Sequence, residues 1–328
     1  MPAPDPLQND CGLMLPELNQ RSARLVSQAL VEADLLKIGV SEQSGTTLLD
    51  FGVEARGGLD AGVLLARICM SDLADIRIVP FHHQLSVPQV QVTTDHPVEA
   101  CLLSQYAGWK IATHDYFAMG SGPMRILAGV EELQQNRNVS EDRNWCVGVL
   151  EASSLPSGSA VQYIRDTVGH VSNIALLTAP TASIAGTVQV VARTVETALH
   201  KLHDLKFPLE VVVSGTGISP LPPVAKNDLQ GIGRTNDAIL YGAHVNLWVE
   251  CDDALIESTG PEVPSSSSEA HGRSFEVLFA EANHDFYRLD PKLFSPAVVV
   301  FHNLRSGRSY SYGHCVPELL VTSFGISL

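Results

Sequence analysis

The sequence predicts an α+β fold with two domains that each mix helices and strands. The chain has 328 residues, and domains of roughly 100–200 residues make two of them the natural expectation. Its composition, 45% hydrophobic and 17% charged, is that of a globular protein with a large buried core. Helical and strand-like segments follow one another without the spacing of a doubly wound sheet, which disfavours a Rossmann fold. We place an N-terminal domain over 1–186 and a C-terminal domain over 187–328, and we allow for their being intertwined in sequence.

The elements of the N-terminal half are predicted from periodicity and turn residues. Apolar residues recur at helical spacing across 15–38, and Gly39 is a natural C-terminal stop. A strand over 46–53 and a glycine turn lead into a helix over 59–70. Two further helices are predicted over 97–108 and 125–133. The predicted strands are 76–80, 87–93 and 174–178, and the segments 147–151 and 160–168 continue the alternation of strand and helix.

The elements of the C-terminal half are predicted in the same way. An apolar helix over 188–205 is followed by a β-branched strand over 209–214. The segment 258–274 is rich in Ser, Pro and Gly, so we interpret it as a linker or mobile loop. The other predicted helices are 236–241 and 275–282, the other predicted strands are 243–250 and 297–302, and the apolar end 319–328 is expected to pack against the rest.

Charge and cysteine usage exclude several classes of protein. The net charge is −15, and the Lys and Arg residues form no cluster, so no surface for nucleic acid is expected. The six cysteines are far apart and contain no C-x-x-C pair, which is typical of reduced thiols. The apolar stretch 167–192 is long enough for a bilayer, but its prolines, glycines and threonines favour strand, loop and helix. With no secretory signal at the N-terminus, we expect a cytoplasmic protein.

The strongest functional signal is the pair Arg193 and Glu196. No Asp, Glu, Lys or Arg lies between 167 and 192, and then both charges arrive three positions apart on one predicted helical face. A guanidinium beside a carboxylate at the edge of a charge-free region can position a water and tune a base. The alternative is an ordinary surface ion pair.

Three further segments combine glycines with polar or aromatic side chains. Residues 120–125, GSGPMR, are typical of an anion cradle or of a plain turn. Residues 231–237, GIGRTND, are a dense polar loop or the cap of a following helix. Residues 104–109, SQYAGW, suit a flat heterocycle or a packed helix end. Neither a Walker A loop, a G-x-G-x-x-G run, an H-E-x-x-H motif nor a G-x-S-x-G elbow occurs, so nucleotide, metallohydrolase and serine hydrolase sites are not supported.

Taken together, the chain resembles the methenyltetrahydromethanopterin cyclohydrolases, enzymes of one-carbon metabolism. The likeness runs through nearly the whole chain in the same order. The matching blocks are DFGVEARGGLDAG (50–62), TTDHPVEACLLSQYAGW (93–109), GSGPMR (120–125), GTVQVVARTVETALHKLH (186–203), GIGRTNDAILYGA (231–243), DFYRLDPKLFSPA (285–297) and ELLVTSFG (318–325). Three departures are the extension over 1–14, Met124 in place of a small residue, and the stretch 305–315, which matches nothing in the family.

The resemblance implies hydrolysis of the methenyl bridge between N5 and N10 of the reduced pterin, giving the N5-formyl compound. It also implies that no metal or prosthetic group is needed, that the pterin lies in a cleft between two domains, and that the protein is a homotrimer. The family's catalytic arginine and glutamate fall on Arg193 and Glu196. The substrate contacts expected from motif position and chemistry are Asp95, Gln105, Tyr106, Ser121, Gly122, Arg125, Arg234, Asn236 and Asp237. The alternatives are another pterin-dependent one-carbon enzyme, such as a formyltransferase or a dehydrogenase, and a non-catalytic pterin-binding protein.

Overall fold

Two mixed six-stranded sheets carry the fold in the computed structural model, which describes residues 17–80, 85–131 and 141–327. The first sheet has the order β1-β2-β8-β7-β6-β5, with β2, β8 and β7 parallel and the outer pairs antiparallel. Its strands are β1 (Gly39–Gln43), β2 (Thr46–Asp50), β5 (Trp109–Ala112), β6 (Phe117–Ser121), β7 (Trp145–Glu151) and β8 (Asn173–Ala179).

The second sheet has the order β12-β11-β10-β9-β4-β3, and only the β10–β11 pair is parallel. Its strands are β3 (Asp75–Val79), β4 (Gln89–Thr94), β9 (Val212–Pro220), β10 (His244–Val249), β11 (Val298–Asn303) and β12 (Ser309–Gly313). The predicted α+β fold is therefore confirmed. The second sheet takes β3 and β4 from the N-terminal half of the chain, while the boundary near residue 186 stays a prediction.

Helices connect the strands and cover the sheets. The described helices are α1 (Leu18–Val31), α2 (Ala33–Leu36), α3 (Leu59–Cys69), a π-helix (Val98–Gln105), α4 (Met124–Ala128), α5 (Gly158–Val168), α6 (Ile184–Val191), α7 (Thr194–Asp204), α8 (Asp228–Gly242), α9 (Asp253–Thr259), α10 (Phe275–Glu281) and α11 (Pro317–Phe324). Across the described ranges, every helix is too short or too polar to cross a bilayer. The five cysteines in these ranges are free thiols.

The N-terminal helix prediction was wrong at its C-terminal end. The helical region stops at Lys37, which adopts the left-handed conformation and closes α2. Gly39 is the first residue of β1 instead of the stop. Ser44 and Gly45 both have positive φ and form the tight turn between β1 and β2, a pairing of conformations that suits the twist of a hairpin. The predicted start at residue 15 lies outside the described residues.

Two other predictions need correction. The segment 258–274 is not a linker, because Val263 and Ser265 are buried and the Ser265 hydroxyl donates to the carbonyl of Leu240. The helix predicted over 125–133 ends at Ala128, since Gly129 has φ +60° and terminates it; residues 132–133 lie outside the described ranges. The unplaced stretch 305–315 forms the turn and edge strand β12, paired antiparallel with β11, and the extension 1–14 is not described.

Candidate active site

Arg193 lies at a break between two helices, not within one. The helix predicted over 188–205 is divided into α6, which ends at Val191, and α7, which begins at Thr194. The carbonyl of Ala192, inside the break, accepts a hydrogen bond from the Gln105 side-chain amide at 3.1 Å. The prediction of one continuous helical face for Arg193 and Glu196 was therefore wrong, although Glu196 does lie in the first turn of α7.

The Arg193 guanidinium is held by two other elements. Nη1 donates to the carbonyl of Gln105 at 2.6 Å, and Nη2 donates to the Ser121 hydroxyl at 3.2 Å. Gln105 is the last residue of the π-helix, and the carbonyl end of a helix favours a cation. Ser121 is the last residue of β6 and donates its own proton to the carbonyl of Val149. With 8% of its surface exposed, Arg193 is a buried cation in a fixed position.

Glu196 is equally buried, with 7% of its surface exposed. Burial raises the pKa of its carboxyl group, and the positive potential of Arg193, His200 and Arg125 opposes that rise. Within the described ranges, the close ion pairs do not include one between Arg193 and Glu196. A buried carboxyl with a raised pKa, near a cation that is anchored elsewhere, has the properties of a general base.

Arg125 supports the region from behind. It is fully buried, and its Nε and Nη2 donate to the carboxylate of Glu131. Its Nη1 donates to three carbonyls at the end of the π-helix, those of residues 102, 103 and 104. The guanidinium also lies 5.0 Å from the centre of the Tyr106 ring. All three nitrogens are engaged, so this placement favours a supporting role behind Tyr106 over the predicted direct contact with substrate.

The packing of the loop after β6 accounts for Met124, where the family pattern has a small residue. Gly122 has φ +85°, and a Cβ there would lie 3.3 Å from the carbonyl of Val147 and the amide of Val149. The Met124 side chain is fully buried and fills the space beside two glycines: a Cβ on Gly120 or Gly148 would come within 3.0 Å of it. The loop is thus closely packed against the first sheet.

Three residues of α8 that were predicted to contact substrate form their hydrogen bonds elsewhere, and not with Arg193, Gln105 or Ser121. Residues 231–237 lie inside the helix, which Asn227 caps, so the interpretation of a loop before a helix was wrong. Arg234 donates to the carbonyls of residues 223, 224 and 323 and lines a separate cavity of about 650 Å³ between α8 and α11. Asn236 donates to the carbonyl one turn earlier in its own helix.

Asp237 ties α8 to its neighbours. It is fully buried and accepts hydrogen bonds from the amide of Phe275 and the hydroxyl of Ser323. Burial raises its pKa to about 7. Asp95 is exposed and accepts a hydrogen bond from Ser214 on β9 at 2.7 Å. Direct contacts of these residues with a ligand stay predictions.

Sequence reasoning missed the residues behind the arginine. The thiol of Cys69 lies 3.3 Å from the Ser121 hydroxyl, and the side-chain amide of Gln189 donates to that sulfur. The Gln105 side chain was predicted, but its Oε1 is buried and has no hydrogen-bond partner among the described residues. His200 was missed as well. Its spacing of four residues from Glu196 was the signal that connects it to the site.

Comparison with known proteins gives a consistent result. Residues 17–324 match the family model described as Cyclohydrolase (MCH). Three similar proteins are each named methenyltetrahydromethanopterin cyclohydrolase. The protein from Rhodopirellula baltica is 48% identical over 86% of this chain and 87% of its own length. The protein from Methylobacillus flagellatus is 42% identical over 95% and 96%, and that from Methanosarcina barkeri 40% identical over 94% and 98%.

Proposed function

The chain belongs to the methenyltetrahydromethanopterin cyclohydrolase family, and we propose that it hydrolyses the methenyl bridge of N5,N10-methenyl-tetrahydromethanopterin with Glu196 as the base and Arg193 as its cationic partner. Membership of the family makes it an enzyme of the hydrolase class. The observation that supports these two roles is that both residues are buried, Arg193 within the helix break and Glu196 in the first turn after it.

The chemistry asks little more of the protein than a placed and activated water. The methenyl carbon is bonded to two nitrogens that share a positive charge, so it is already electrophilic. Water adds to this carbon as Glu196 accepts one of its protons, and an uncharged hydroxy adduct forms. The bond from carbon to N10 then breaks and N10 takes the proton from Glu196. The regenerated carboxylate accepts the proton of the hydroxyl as the formyl C=O forms. Arg193 stabilises the oxygen that carries the developing charge.

Substrate is held, in this proposal, by the residues around the helix break. The unpartnered Oε1 of Gln105 accepts a hydrogen bond from an N–H of the pterin or from the attacking water, because a buried acceptor without a partner is costly. Tyr106, whose ring lies between His200 and Arg125, supplies its phenol edge at the end of the π-helix. The backbone at Ser121 and Gly122 borders the same region, and Asp95 lies at the end of β4.

We propose that the reaction needs no metal or prosthetic group. The carbon that reacts is cationic, and the acceptor for the proton of water is a carboxylate of this chain. The purified protein should therefore abolish the methenyl chromophore without added nucleotide or metal, and a chelator should not change the rate. A formyltransferase would need an acceptor, and a pterin-binding protein would leave the chromophore intact. Persistence of the chromophore, or loss of the activity on chelation, would contradict the proposal.

A homotrimer is proposed together with this function. A charged fraction of 17% is low for a globular protein, which is compatible with surface buried between subunits. Light scattering on the purified protein should give three times the monomer mass of 35.3 kDa. A monomeric mass at micromolar concentration would contradict it.

A further inference from the structure

Three ionisable residues follow one another along α7 from the buried site to solvent. Glu196, His200 and Asp204 are spaced by four residues, so they lie one above the other on one face of the helix. Their exposure increases in the same order: Glu196 is buried, His200 is half-buried and Asp204 is exposed. The face therefore connects the proposed base with bulk water.

Tyr106 lies beside this face. Its ring stacks on that of His200, with centroids 4.8 Å apart and planes 23° from parallel. Burial is the main reason that its pKa rises to about 12, and the negative potentials of Glu196, Glu131 and Asp204 add to that rise. The phenol thus lies within electrostatic range of both ends of the row. The stack fixes the imidazole plane between them.

The proposed reaction has to release a proton. A cationic methenyl group and water become an uncharged formyl group, so one proton leaves for every turnover. Glu196 accepts a proton from water and returns it to N10, and then accepts the second proton when the hydroxyl becomes a carbonyl. That second proton must leave a carboxyl group that has only 7% of its surface exposed.

We propose that His200 carries this second proton from Glu196 to solvent, past Asp204. The neutral imidazole accepts the proton at one ring nitrogen and loses a proton to water, which restores the carboxylate without net change in the protein. Imidazole is the side chain that gains and loses a proton most readily near neutral pH. The inference rests on the proposed function, because a protein that does not hydrolyse the methenyl group has no proton to export.

The other charged groups around His200 do not replace this route. On its own helix the ionisable residues three or four positions away are Glu196, His203 and Asp204, and Arg125 and Glu131 act on Tyr106, on which His200 stacks. Arg125 and Glu131 are bound to each other. Within the described residues no group of three or more His, Cys, Asp and Glu could hold a metal ion.

The test compares His200→Gln and His200→Phe with the unmodified protein at low buffer concentration. His200→Gln retains a polar side chain of similar size, and His200→Phe retains the stack on Tyr106 but cannot carry a proton. We expect kcat to fall about tenfold in both variants, which is less than the roughly 10²–10⁴-fold of direct acid–base catalysis. KM should change little. Free imidazole should restore kcat in both variants as its concentration rises. His203→Gln, on the same helix, is the matched control and should need no rescue.

Each outcome decides between the relay and a structural role. Full kcat in His200→Phe would show that only the stack matters, and a loss that imidazole does not relieve would show that no proton transfer had been removed. Either result overturns the relay while leaving the cyclohydrolase proposal intact. The cyclohydrolase proposal would be overturned by a separate result, namely that the unmodified protein does not consume the methenyl chromophore.

Discussion

Replacement of Glu196 by glutamine is the sharpest test of the proposed mechanism. The amide has nearly the same shape as the carboxyl but cannot accept the proton of water. General acid–base assistance contributes roughly 10²–10⁴-fold to a rate, which corresponds to about 3–5 kcal/mol in the barrier. We expect Glu196→Gln to lose activity within this range and to keep its affinity for the pterin.

The surroundings of Glu196 indicate that Glu196→Gln loses much of its activity. Cys101 lies within electrostatic range of Glu196, but burial raises the pKa of its thiol well above its usual value, so it stays protonated. The carboxylate of Glu131 is bound to Arg125. Neither group can take over as base. We expect Arg193 to keep its anchors on Gln105 and Ser121 in the variant, so the remaining activity includes its contribution to the placing of water.

The same substitution should preserve or raise the stability of the protein although it lowers its activity. The folded-state pKa of Glu196 is raised, so its contribution to stability is fully present below its pKa in the unfolded chain and is lost as pH rises through the folded value. At neutral pH the buried carboxylate therefore costs stability that a neutral amide does not. Glu196→Gln should have a melting temperature equal to or above that of the unmodified protein.

The assay follows the methenyl chromophore for turnover and titrates the pterin for binding, with calorimetry for the melting temperature. Glu210→Gln is the matched control, because Glu210 is exposed and lies beyond the end of α7. Near-normal hydrolysis by Glu196→Gln would refute the assignment of the base. A lower melting temperature together with lost binding would refute the argument that the substitution is local.

Three further predictions follow from other parts of the structure. Arg193→Met should lower kcat and move the acid limb of the pH–rate profile to higher pH, because the guanidinium lowers the pKa of Glu196; an unmoved limb would contradict this. Asp237 has a folded pKa of about 7, raised by burial, so the melting temperature should fall as pH rises from about 4 to 7, and calorimetry should show a flatter dependence for Asp237→Asn. Gly148→Ala should destabilise by about 1–3 kcal/mol, since its Cβ would clash with Met124, and the loss should be smaller in a Met124→Ala background when both are measured by urea unfolding.

The sequence predicted most strands but not where several helices begin and end. Strands such as β2 and β8 carry their own signal in β-branched and apolar runs and were expected within a few residues of their observed ends. The end of α2 at Lys37 is set by a left-handed residue that has no glycine to mark it. The start of α8 is set by Asn227, nine residues before the predicted start.

For the candidate site, too, the sequence indicated candidate residues but not the partners that tertiary packing gives them. Residue types and spacing identified Arg193, Glu196, Gln105 and Ser121, and the fold brings the arginine onto Gln105 and Ser121 from three separate segments. In the sequence, the three residues on α8 had the appearance of a binding segment, because glycines, a cation and hydrogen-bonding side chains occur together in a short run. Their partners turned out to be α10, α11 and the helix itself, which only the tertiary packing determines.

In the proposed mechanism, the break before α7 allows the R-x-x-E pattern to act as more than an ion pair. On an unbroken helix, residues three apart face one another, and a close arginine would hold the carboxylate at a low pKa and weaken it as a base. Here the side chain of Gln105 binds the carbonyl of Ala192 inside the break, and its backbone carbonyl binds Arg193. The cation is directed to the end of the π-helix, and burial keeps the pKa of Glu196 raised. If Glu196 is the base as proposed, its strength depends on the packing of the π-helix on the break, so changes at Gln105 should alter the pH dependence of catalysis even though the charged pair itself is intact.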